Sequence, residues 1–197
     1  MPMSRPARET FTDHEYLAFE RASETKHELI GGRLFAMAGA TAIHNLVKDN
    51  VARALGNRLR GRGCIVLTSA QRIHVPATGL YTYPDVAVLC GRIERHADDE
   101  DTLLNPVVLI EVLSETTEAY DRGAKAAHYR SIASLAEYLL VSQTEPRVEH
   151  LRRIEEGRWV LSEAVGDDAV IALPVLSLEL PLSEVYENLE LLRASAG

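Results

Sequence analysis

The chain has only two cysteines in 197 residues, Cys64 and Cys90, each bordering an apolar stretch and without C-x-x-C spacing. Neither a disulfide scaffold nor a structural zinc site is expected from them, and a reducing cytoplasm is the natural compartment. Positive charge is scarce: 21 Lys plus Arg against 29 Asp plus Glu leave a net charge of −8. Binding of a polyanion by overall charge is thereby excluded, and would need a locally basic or metal-neutralised site. Long apolar runs are missing too. No stretch nears the ~18 residues that span a bilayer, and the opening MPMSRPARETFTDHEY has no apolar h-region, so neither export nor a membrane partner is expected. The histidines show neither H-x-x-x-H nor H-E-x-x-H spacing, no G-x-S-x-G elbow surrounds a serine, and no G-x-x-x-x-G-K-[ST] run is present. Zinc hydrolysis, serine-nucleophile hydrolysis and nucleotide-driven chemistry are therefore not indicated.

What is present is the balance of a globular domain, 46% hydrophobic and 25% charged, and the length suits a single domain with its core over about 12–193 and a flexible arm over 1–11. Thr12 and Glu15 have the spacing of a capping box for a helix through about Ala22. Gly31-Gly32 between two short apolar runs predicts a hairpin. Ile43, Val47, Val51, Leu55 and Leu59 recur every four residues and predict an amphipathic helix ending near Gly61. Strands are predicted over Cys64 to Thr68, Arg72 to Val75, Asp85 to Cys90 and Val107 to Leu113. A helix from about Thr117 to Ser131 follows, then strands over Tyr138 to Val141, Val148 to Arg152 and Trp159 to Leu161, and a final helix begins near Ser183. The pattern is α/β: one mixed β-sheet flanked by α-helices.

The informative segment is Val107-Val108-Leu109-Ile110-Glu111-Val112-Leu113, an apolar strand with a carboxylate near its end. Burying an unpaired carboxylate costs several kcal/mol, so Glu111 must be protonated, paired with a cation, or set at the strand mouth facing a metal or substrate. Tyr83-Pro84-Asp85-Val86-Ala87-Val88-Leu89 repeats the arrangement. If the two strands are neighbours, Asp85 and Glu111 converge on one divalent cation, hard oxygen ligands suiting Mg²⁺ or Mn²⁺. The alternatives are a salt bridge for Glu111 and a strand-initiating role for Asp85. In the following helix Asp121, Lys125 and Tyr129 fall at i, i+4 and i+8 and line one face. Lys125 can reach back to the strand end, where its ammonium would orient water or steady charge on a phosphoryl group; an exposed Asp121–Lys125 pair is the alternative. His44, near the start of the second helix, could approach the same pocket.

The Pro84-Asp85 step, the Glu111-Val112-Leu113-Ser114 strand end and the downstream Lys125 resemble the PD-(D/E)XK nuclease superfamily, and more narrowly the Uma-two family of candidate endonucleases, long classed as a domain of unknown function. The similarity extends over nearly the whole chain, through HELIGGRLFAMAGATAIHN, YTYPDVAVLCG, NPVVLIEVLSETTEAYDRGAKAAHYRSIASLAEYLLV and the late EEGRW. It implies a restriction-endonuclease-like fold and metal-dependent hydrolysis of phosphodiester bonds in nucleic acid, DNA foremost. Asp85 and Glu111 would be the metal ligands, Mg²⁺ or Mn²⁺ the cofactor, and Lys125 the third catalytic residue, since the superfamily's usual lysine position is here Leu113. Glu28 resembles an additional acidic residue near the site. Glu115 stands where proline is common, and Ala70-Gln71 replaces a stretch that often carries an acid. Replacing Lys125 is expected to abolish cleavage and spare the fold. Symmetric cutting of a duplex would favour a homodimer.

The net charge and the lack of a dense Lys/Arg tract favour a different class, a non-catalytic nucleic-acid or protein-binding module with a vestigial site. Arg53, Arg58, Arg60 and Arg62 form one modest basic stretch, whose plainer explanation is a solvated helix face.

Overall fold

The computed structural model describes residues 10–37 and 39–194, so most of the arm expected over 1–11 lies outside the described residues. The capping box forms as the sequence predicts. The Glu15 amide donates to Thr12 Oγ1 at 3.4 Å and the Thr12 amide to Glu15 Oε2 at 3.1 Å, opening α1 (Asp13–Ala22). β1 (His27–Ile30) and β2 (Arg33–Ala36) make the predicted hairpin, with Gly31 and Gly32 at φ of 55° and 79°, conformations open to glycine at little cost. α2 (Ala42–Leu59) is N-capped by Thr41, whose Oγ1 accepts from the His44 amide at 3.1 Å.

Two six-stranded mixed sheets replace the single one expected. Between α2 and residue 113 run β3 (Cys64–Thr68), β4 (Arg72–Val75), β5 (Leu80–Thr82), β6 (Val86–Cys90), β7 (Arg95–His96), β8 (Asp99–Leu103) and β9 (Val108–Leu113). After them come β10 (Glu137–Ser142), β11 (Arg147–Arg153), β12 (Trp159–Val165), β13 (Val170–Leu173) and β14 (Leu178–Pro181). One sheet has the order β12-β11-β10-β9-β6-β3, the other β2-β1-β5-β4-β8-β7, and β13 pairs with β14 alone. The chain passes from one large sheet to the other between β5 and β6, at Tyr83-Pro84-Asp85. Pro84 has no amide hydrogen to give a ladder, so pairing is interrupted there. β5, β7 and β8 escape a sequence pattern because they are short or polar.

β9 and β10 are parallel and joined by a crossover helix over 118–130. It is not the uniform helix expected: α-helical turns at Glu118–Tyr120 and Ala126–Arg130 flank a π-helical segment, Asp121–Lys125. Such wide turns are frequent at functional sites. The final helix is also broken, into Leu182–Val185 and Leu189–Ala194, with Asn188 at φ 63° between them. Pro181, without a side-chain cap, precedes the first of these pieces.

One face of the β9-containing sheet packs Val86, Val88, Val108, Ile110 and Val112 against Val47, Val51 and Leu55 of α2. The other face packs Ala87, Leu89, Leu109 and Leu113 with Tyr129 of the crossover helix and Ile73, Val75 and Leu80 of the second sheet. The cysteines correct the sequence expectation. Cys64 lies opposite Cys90 in the β3–β6 ladder and the two form a disulfide; strand register, invisible in their spacing, brings them together. Three of the four arginines in the basic stretch serve the fold. Arg58 holds Glu184 with two bonds of 2.7 and 2.6 Å, Arg53 pairs with Glu187, and Arg62 donates to the Leu176 carbonyl at 2.6 Å.

Candidate active site

β6 and β9 are antiparallel neighbours with Val86 opposite Ile110, and one further step places Asp85 opposite Glu111. Residues directly opposite in such a pair share a face. The Asp85 amide donates to Glu111 Oε2 at 3.3 Å, and the Val112 amide donates to Asp85 Oδ2 at 2.9 Å. Both carboxylates therefore sit at one end of the strand pair, at the floor of a cleft of about 1070 Å³. Strand alternation puts Glu111 on the face that holds Leu109 and Leu113, toward the crossover helix.

Lys125 comes from that helix, buried, with its Nζ 2.9 Å from Glu111 Oε1, 3.3 Å from Glu28 Oε1 and 3.5 Å from Asp121 Oδ1. This answers the question the sequence raised about the two partners: Asp121–Lys125 is a buried pair, and Lys125 is the cation beside Glu111. Tyr129 donates to Glu111 Oε1 at 2.7 Å. Glu28, on β1, accepts from Thr82 of β5, so the second sheet supplies one wall. From the opposite side His44, in the first turn of α2, places Nε2 3.1 Å from Asp85 Oδ2, while its Nδ1 is buried without a partner among the described residues.

Every residue singled out from the sequence, Asp85, Glu111, Lys125, Glu28, Asp121, Tyr129 and His44, lies in this one constellation. Sequence reasoning missed Thr82 and Tyr120. Thr82 belongs to a strand of three residues, too short for a periodic signal. Tyr120 lines the cleft, its ring 5.7 Å from Lys125 Nζ and its buried hydroxyl without a partner among the described residues. Its place beside Asp121 was the only available hint.

The electrostatics are those of a site with surplus negative charge. Burial pushes the Glu111 carboxyl up to about 8; Lys125 opposes that rise, while Asp121 and Asp85 add to it. Burial likewise raises Asp121, against the pull of Lys125. Burial alone would lower Lys125, but Glu111, Glu28 and Asp121 outweigh it and hold the ammonium well above its ordinary range. One lysine thus faces three carboxylates, with Asp85 adjacent. No group of three or more metal-ligating side chains converges on a point among the described residues. Asp85 and Glu111 nevertheless supply the hard oxygens, and the uncompensated charge, that a divalent cation prefers.

Residues 13–183 match the Uma2 family model, described as "Putative restriction endonuclease". Two uncharacterized proteins of Synechocystis sp. (strain ATCC 27184 / PCC 6803 / Kazusa) are each 32% identical to this chain. Protein sll1609 aligns over 85% of this chain and 94% of its own length, slr1290 over 89% and 90%. The crystal structure of a "putative nuclease belonging to DUF820" from Anabaena variabilis ATCC 29413 superposes with a TM-score of 0.68 at 17% identity. It covers 83% of this chain and 91% of that one, a likeness of fold.

Proposed function

The chain belongs to the Uma2 family of restriction-endonuclease type, and we propose that it hydrolyses phosphodiester bonds of DNA with the help of a divalent cation, Mg²⁺ or Mn²⁺. The observation that carries this reading is the meeting of Asp85, Glu111 and Lys125 at the end of one strand pair, on the floor of an open cleft. Asp85 and Glu111 would hold the ion. When bound, such an ion polarises the phosphate and lowers the pKa of water. The Val112 amide and His44 orient the Asp85 carboxylate, and Tyr129 orients that of Glu111. Lys125, kept charged by its three carboxylates, offers its ammonium to the attacking water or to the charge that builds on the phosphate oxygens. Water adds to phosphorus, the ester oxygen departs and takes up a proton, and no covalent enzyme intermediate is needed.

Plasmid, single-stranded DNA and RNA incubated with Mg²⁺, Mn²⁺ or EDTA test the reading. DNA cleavage that requires the metal and falls at least about a hundredfold in Glu111→Gln is expected. Metal-independent cleavage, or equal turnover by Glu111→Gln, overturns it. Binding with no cleavage under any condition would leave the non-catalytic module, which the net charge of −8 favours.

A further inference from the structure

The β1–β2 hairpin turns two different faces to its surroundings. Leu29 and Leu34, opposite each other, pack under α1 with Tyr16 and Leu17. Glu28 and Phe35, the next pair along, therefore point the other way, into the cleft. The Met37 amide extends the ladder by donating to the Lys26 carbonyl at 2.9 Å, so Lys26 and Met37 join that face, and both line the cleft. Phe35 is 49% exposed although its cross-strand partner Glu28 touches Lys125.

The cleft lining holds five carboxylate residues and three lysines, of which Lys125 is already ringed by acids. The other two converge on the β3–β4 loop: Lys26 Nζ donates to the Ser69 carbonyl at 2.8 Å, and Lys48 Nζ, 3.6 Å from Asp49 and 3.3 Å from Asn45 Oδ1, lies 3.5 Å from Ser69 Oγ. An acidic floor with two cations and an exposed ring along one rim matches the parts of a nucleotide. A phosphate seeks the ammoniums, and a base seeks the ring face. Inside a duplex the base faces are covered by their neighbours, whereas an unpaired base offers one for stacking.

Resting on the nuclease reading above, we infer that the cleft face of the hairpin is a subsite for one unpaired nucleotide beside the bond to be cut. Its base stacks on Phe35 and its phosphate is held by Lys26 and Lys48, so the substrate is single-stranded or locally unpaired nucleic acid.

Fluorescence anisotropy with Ca²⁺ in place of Mg²⁺ tests this, using a labelled 12-nucleotide DNA strand and its blunt duplex. The wild type should bind the single strand about tenfold more tightly than the duplex. Phe35→Ala should weaken single-strand binding about tenfold with the circular dichroism spectrum unchanged, and Phe35→Trp should retain it. The new indole should be quenched by the single strand and not by the duplex, against the constant signal of Trp159. Lys26→Ala combined with Lys48→Ala should flatten the dependence of log affinity on log salt by about 0.7 or more. Unchanged single-strand affinity in Phe35→Ala, or tighter binding of duplex by a wild type that cuts DNA, overturns the subsite and leaves the nuclease standing. A wild type that neither binds nor cuts any nucleic acid removes both.

Discussion

Asp85 donates its amide to the carboxylate of Glu111, 3.3 Å away, across a strand pair whose two members are separated in sequence by a second excursion of the chain. The contact holds two acids at one strand end with one buried lysine beside them, and the consequences of that arrangement can be measured.

Without metal, the clustered carboxylates repel a phosphate backbone. Asp85→Asn and Glu111→Gln should each abolish cleavage yet leave metal-free DNA binding equal or tighter, because Asp85→Asn removes a repulsive charge and Glu111→Gln removes one only above about pH 8, where that carboxyl ionises. Mobility shifts in EDTA check this, and weaker binding by both variants would count against an acidic floor facing the substrate.

Lys125→Met should do more than stop catalysis. From the sequence the replacement looked harmless to the fold, but the ammonium neutralises the buried acids Glu28, Glu111 and Asp121. Removing one partner of a buried ion pair costs about 3–5 kcal/mol. Urea unfolding should show that loss, and adding Glu28→Gln should recover part of it by removing an orphaned charge. A single variant as stable as the wild type would place Lys125 in water.

Asp99 anchors the second sheet. Arg72 and Thr102 both donate to its Oδ2, and Arg21 donates to Oδ1 at 3.1 Å. Burial acts to raise its pKa, but the hydrogen bonds from Thr102 and Arg72 prevail and lower it. A lowered acid contributes stability above its unfolded value, about 3.9, and loses it as pH falls through the folded one. Asp99→Asn should therefore be less stable than wild type at pH 7, the gap closing below about pH 4. Thermal melts across that range decide it, and a gap independent of pH would contradict the ion pair.

The Cys64–Cys90 disulfide closes a loop of 26 residues, which corresponds to roughly 3 kcal/mol in the loop-entropy account. It lies at the end of the β3–β6 ladder away from Asp85, since Thr68 pairs with Val86 at the near end. Reductant, or Cys64→Ser with Cys90→Ser, should lower the melting temperature and leave cleavage per folded molecule unchanged. Loss of cleavage in a folded double variant would tie the disulfide to the site.

Local pattern declared a good part of this molecule. The Thr12–Glu15 box, the Gly31-Gly32 hairpin and the four-residue recurrence from Ile43 to Leu59 each depend on neighbours in the chain, and each formed as expected. Glu111 stood out because a carboxylate in an apolar strand needs a partner wherever the strand lies, and the family resemblance joined Asp85 and Lys125 to it. Tertiary structure alone decided how these residues meet. Register between β6 and β9 set Asp85 against Glu111, and the same kind of register paired Cys64 with Cys90. At Pro84 the chain leaves the second sheet for the one that holds β6 and β9, and it is that second sheet which brings Glu28 and Thr82 toward the lysine and leaves Phe35 at the rim of the cleft. The π-helical turn likewise has no periodic signature in 121–125. Periodicity reports which face of an element is apolar; which elements face one another follows from long-range packing, where pairing partners lie tens of residues apart and no local preference records the choice.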